Sequence, residues 1–203
     1  MKIINYISIF FLLLNLSAVN AQNASSFKIH GTYPVRTLTL EPAIGLNIWT
    51  MGDLRVSNVV QWNIKKRLSL ISYSAYVYNN SMSRNFNYIR TDYDYTLNQK
   101  FGVGTSLYGR HSSHTFSLLA GIKYDAIKET LVNPEFEQVT ASVHSVSPDF
   151  GLMYNLKKGI GKYFFTYRMV IPLYPYPFKS FDITSVDGNL ANIAMEFGVG
   201  VRL

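Results

Sequence analysis

Leu190-Ala191-Asn192-Ile193-Ala194-Met195-Glu196-Phe197-Gly198-Val199-Gly200-Val201-Arg202-Leu203 alternates along its whole length. Ala191, Ile193, Met195, Phe197, Val199, Val201 and Leu203 are apolar. Leu190, Asn192, Ala194, Glu196, Gly198, Gly200 and Arg202 form the other set, mostly small or polar. Side chains point to opposite faces of a strand in turn, so the stretch predicts a strand with one greasy face and one small, charged face. A face turned to water would carry Lys, Glu and Thr. Two glycines beside bulky neighbours suit a crowded interior instead. The apolar face is therefore expected to point outward, into lipid.

Seven earlier segments repeat the pattern. Thr37–Trp49 sets Leu38, Leu40, Pro42, Ile44, Leu46 and Ile48 against Thr37, Thr39, Glu41, Ala43, Gly45 and Asn47. Leu54–Ile64 sets Leu54, Val56, Val60, Trp62 and Ile64 against Arg55, Ser57, Gln61 and Asn63. Leu68–Asn79 has aromatics on both faces, and its pattern leaves its facing open. Tyr93–Tyr108, Thr115–Ile127, Val139–Leu156 and Lys162–Leu173 continue the alternation. Pro42 and Pro148 lack the ladder donor; Pro42 predicts a bulge or weakened pairing, and Pro148 a bulge.

Eight strands put both chain ends on one side. The connections expected there, 65–67, 109–114 and 157–161, are short. On the opposite side 80–92, 128–138 and 174–189 are longer, beside a tight turn at 50–53. Short turns at one end and long loops at the other are the asymmetry of outer-membrane barrels. A soluble eight-stranded barrel would turn its apolar face inward and would have to pack far more large side chains than such a cylinder holds.

Residues 1–21 have the form of a secretory signal: Lys2, the apolar run Ile7–Leu16 and the small cleavage positions Val19-Asn20-Ala21. Residues 22–34 are then a periplasmic lead-in and 35–203 the barrel. Export makes a nucleic-acid partner an unsuitable explanation for the formal charge of +7. Cysteine is absent, which removes disulfide and thiolate chemistry, and no apolar run reaches the length of a spanning helix. The 15 tyrosines suit rings placed at membrane–water boundaries.

On these alternating segments, the signal and the ending Met195-Glu196-Phe197-Gly198-Val199-Gly200-Val201-Arg202-Leu203, the chain resembles small outer-membrane β-barrel proteins of the OmpA/OmpX type, in the style of Bacteroidota-like bacteria. The resemblance spans about residues 35 to 203 and implies an all-β, eight-stranded antiparallel up-and-down transmembrane barrel. It also implies a porin-like protein of the Gram-negative cell envelope, inserted by the barrel-assembly machinery. Such proteins usually end in an aromatic residue; this chain ends in Leu203.

The expected inward charges are Glu41, Asp125, Asp149 and Glu196 with Arg55, Lys100, Lys123, Arg168 and Arg202. Four acids against five bases predict a paired, hydrogen-bonded interior, because buried charge is tolerated only when compensated. A narrow solute path is the alternative. For catalysis, His111-Ser112-Ser113 falls in a turn at the wrong end for outer-leaflet lipid, and the alternation splits His144 from Ser145 onto opposite faces. No enzyme activity, metal site or cofactor is expected. The proline-spaced Tyr174, Tyr176 and Phe178 predict a stiff external patch for an extracellular protein or glycan. Lys65, Lys66, Arg67, Arg110, Lys157, Lys158 and Lys162 predict a basic collar against anionic headgroups. The expected state is a monomer embedded in outer-membrane lipid.

Overall fold

The computed structural model describes residues 37–47, 53–65, 67–78, 89–109, 111–132, 139–159, 161–173 and 193–203. Eight strands follow in order: β1 (Leu38–Asn47), β2 (Leu54–Asn63), β3 (Leu68–Tyr78), β4 (Ile89–Tyr108), β5 (Ser112–Leu131), β6 (Thr140–Lys158), β7 (Tyr163–Pro172) and β8 (Ala194–Arg202). Each pairs antiparallel with its neighbour, and β1 pairs with β8, so the sheet closes into a barrel. Closure leaves no edge running the full height of the wall. The signal, the lead-in and the Tyr174, Tyr176 and Phe178 patch lie outside the described residues.

Alternation decides the facing. On β8, Phe197 is 60% exposed while Glu196 beside it is 0% exposed. Ile44, Val56, Phe101, Leu118, Ile122, Leu152 and Phe165 point outward in the same way. On β4 the outward series from Tyr95 to Leu107 spans roughly 30 Å of height at the usual rise and tilt of barrel strands, close to the thickness of a bilayer's hydrocarbon core. Three polar residues also face out midway up β3 and β4. Ser74 Oγ donates to Gln99 Oε1 (2.7 Å) and Gln99 Nε2 donates to Ser72 Oγ (3.1 Å), so these groups satisfy one another without water.

β3, whose pattern was two-sided, turns Ile71, Tyr73, Ala75 and Val77 inward and Tyr76 and Tyr78 outward. Its inward aromatic is used: Tyr73 is 0% exposed and its hydroxyl joins the interior hydrogen bonds.

Strand ends depart from the sequence expectations. β4 begins at Ile89 and β5 runs to Leu131, so parts of 80–92 and 128–138 are ladder, not loop. Pro148 makes no bulge; it pairs with Ile122 in unbroken register. Its missing donor faces β7, because Leu173 N donates to Phe150 O (3.0 Å) and alternate residues of a strand address the same neighbour. The β6–β7 ladder accordingly stops just short of it, at Gly151↔Pro172. At Pro42 pairing with β2 continues, while pairing with β8 skips from Leu40 to Ala43. Among the described pairings of β4 and β5, a bulge lies between Thr91 and Tyr93. At the short-turn end Gly159 has φ +130°, a conformation costly for any residue with a Cβ.

Candidate functional site

Two clusters carry the polar chemistry, one inside the barrel and one outside its long-loop rim.

Inside, two glutamates are the hubs. Glu196 of β8 accepts from the Tyr73 hydroxyl (2.6 Å) and the Ser57 hydroxyl (2.6 Å), and lies 3.2 Å from Arg168 Nε. Arg55 stands 3.9 Å away, donating Nη1 to Tyr73 Oη (3.0 Å) and Nη2 to Asn47 Oδ1 (3.1 Å). Glu41 of β1 accepts from Thr39 (2.5 Å), Asn155 Nδ2 (2.7 Å) and Thr166 (3.3 Å), and forms an ion pair with Lys157. Arg168 links the hubs: its Nη2 donates to the Glu41 carbonyl (3.0 Å) and to Ser57 Oγ (3.3 Å). Each of these two carboxylates thus meets at least one cation and two neutral donors, the condition under which buried charge is tolerated.

Lys100 and Asp149 form a second buried pair at 2.7 Å. Toward the long-loop end Lys123 and Asp125 pair at 3.0 Å, with side chains 20% and 16% exposed, and Thr96 donates to Asp125 (2.6 Å). Arg202 is the last of the expected inward charges. It lies at the short-turn mouth, donating to the carbonyls of Gly159 (2.8 Å) and Gly161, with its guanidinium 4.4 Å over the Phe164 ring. Gly200 makes room for that ring, since a Cβ there would lie 2.3 Å from it.

Lys157 corrects the expected collar. It is buried on Glu41 instead of facing headgroups. It has inward parity at the end of β6, and that strand runs to Lys158, into the expected turn. Interior apolar residues were also missed. Val59, Ile71, Leu119 and Met153 share inward parity with the polar set and pack together as a buried cluster. Their parity was the available signal; residue type hid it.

Outside the long-loop rim, rings run from strand to strand. Tyr76 stacks on Tyr95 (centroids 5.9 Å), Tyr95 meets Tyr93 (6.0 Å) and Tyr124 (6.3 Å), and Tyr124 stacks on His144 (6.0 Å). Both imidazole nitrogens of His144 face phenols: Tyr124 Oη at 2.7 Å from Nδ1, and Tyr93 Oη at 3.3 Å from Nε2. Ala126, the outward residue between Tyr95 and His144 in the ladder, is 1% exposed, which places a small residue under the rings. Beyond them the bulged Asp92 meets Arg90 Nε (3.1 Å) and Lys128 Nζ (3.6 Å). The Thr130 hydroxyl donates to it (3.0 Å) and, with Arg90, holds its carboxyl below the ordinary value. Ser145 lies on the opposite face of β6 from His144, so this histidine addresses tyrosines and not a serine.

The barrel is built inside out. Among solved structures the chain is similar to the N-terminal β-barrel domain of Pseudomonas aeruginosa OprF, at 9% identity over 83% of this chain and 98% of that one, with a TM-score of 0.46. It is similar also to Neisserial surface protein A, NspA, at 9% identity over 82% and 94%, with a TM-score of 0.45. No family model and no curated protein matches the sequence.

Proposed function

We propose that the chain is an integral outer-membrane barrel, exported with a cleaved signal, whose occluded interior holds the wall together and whose external end makes the contacts. One observation carries the reading: Glu41, Arg168 and Glu196 have no exposed surface, while the outward residues alternating with them are large and apolar. That inversion suits a protein solvated by lipid. Its working surfaces are the long-loop connections and the rim they spring from, facing an extracellular protein or glycan. The barrel-assembly machinery is the partner for insertion, and the protein acts as a monomer without catalytic turnover.

A heat-modifiable gel shift of the membrane extract, with resistance to carbonate, tests this reading. Unheated protein should migrate as a compact barrel and boiled protein as an extended chain; a freely soluble chain with no shift overturns the assignment. A narrow solute path is the second reading, favoured by the partly exposed Lys123 and Asp125 toward the long-loop end. Planar-bilayer recording separates the two. An occluded barrel gives no unitary steps, and steps altered by Arg168→Met would establish a channel.

A further inference from the structure

We propose that the outer face of β4, β5 and β6 at the long-loop rim binds the phosphorylated sugar headgroup of a glycolipid in the surrounding leaflet. This rests on the outer-membrane reading above.

The face is graded in three zones. Lowest are Leu97, Ile122, Val146 and Phe150, apolar and outward, with Val146 67% exposed. Above them lies the continuous array of Tyr93, Tyr95, Tyr124 and His144. Above the rings, Arg90 and Lys128 rise on the same face, with side chains 59% and 39% exposed. Each zone matches one part of a single amphiphile. Acyl chains pack on the apolar zone. The flat, C–H-bearing faces of a sugar stack on aromatic rings, whose amphipathic character suits the boundary. Phosphate takes charge-assisted hydrogen bonds from guanidinium and ammonium.

The array is also preorganised. His144 is tied at both nitrogens by tyrosines from β4 and β5, so the rings need little ordering when a ligand arrives. The Thr91/Tyr93 bulge helps to place the cations, because it reverses the facing of the residues before it and so brings Arg90 out beside Thr130. Asp92 engages Arg90 through Nε (3.1 Å), and the Arg90 side chain stays 59% exposed in the pair. An ordinary diacyl phospholipid would fill the lowest zone and leave the ring array bare. Charge complementarity at the top and stacking area in the middle together select the phosphorylated glycolipid.

The test uses full-length protein extracted from membranes, verified by its gel shift, and placed in phosphatidylethanolamine nanodiscs. Retained lipid A is counted by native mass spectrometry, with its dephosphorylated form and phosphatidylglycerol as competitors. The expected result is preferential retention of the phosphorylated glycolipid over both. Arg90→Gln with Lys128→Gln should weaken it about 25-fold, at roughly fivefold per basic residue, and erase the discrimination between phosphorylated and dephosphorylated forms. Tyr124→Ala should weaken both forms alike. Equal retention of phosphatidylglycerol, or phosphate discrimination that survives the double substitution, overturns the site while the barrel reading stands. Absence of the gel shift in unaltered protein overturns both.

Discussion

The barrel wall is made of two unlike sectors. Among the described residues β1, β2, β3, β7 and β8 have 9 to 11 residues each, whereas β4, β5 and β6 have 19 or 20. The short-strand sector keeps its charge inside, where Glu41, Arg55, Arg168 and Glu196 face one another. The long-strand sector adds polarity outside, in the tyrosine array and the Arg90–Asp92–Lys128 cluster beyond it. The same alternation thus serves two purposes. Buried polarity fastens the cylinder, and exposed polarity marks where the lipid ends.

The sharpest way to break this contrast is to remove one member of the buried set. Arg168→Leu leaves Glu41 and Glu196 short of their shared cation, and should cost about 3–5 kcal/mol in urea unfolding from lipid vesicles. Adding Glu196→Leu should return much of that loss; no loss in the single variant would mean that the network is ornamental. Next is the lipid face. Phe101→Arg, near the middle of the outward series on β4, should cost about 2–4 kcal/mol in the same assay. The smallest effect belongs to the rim: Tyr93→Arg should cost about 0–1 kcal/mol, since a cation there reaches water. Equal costs at positions 101 and 93 would erase the assigned depth of the tyrosine array.

The alternation made the fold legible because a closed sheet with one face in lipid must repeat its pattern in every strand. Where both faces held rings, as in Leu68–Tyr78, the pattern was silent, and barrel closure decided that Tyr73 turns inward. Interior charge was legible by parity for Glu41, Arg55, Lys100, Asp149, Arg168 and Glu196. Lys157 was misplaced because a lysine at a turn resembles a solvated one until the strand is seen to continue past it. The rim cluster was out of reach for another reason. His144, Tyr93 and Tyr124 come from three strands, and their meeting depends on registers such as Tyr95↔Ala126↔His144 that no single segment encodes.

The seam between β1 and β8 also bears on how the molecule comes together. Thr39↔Arg202 joins nearly the two ends of the described chain, the costliest loop to close and the slowest kind of contact to form. Glu196 reaches Ser57, Tyr73 and Arg168 only from β8, and Glu41 reaches Asn155 and Lys157 only from β1. Until β1 and β8 meet, Glu41 lacks Asn155 and Lys157, and Glu196 lacks Ser57 and Tyr73. Completion of the ion network and completion of the cylinder are therefore one kinetic event, so a half-assembled barrel has little to gain by settling early.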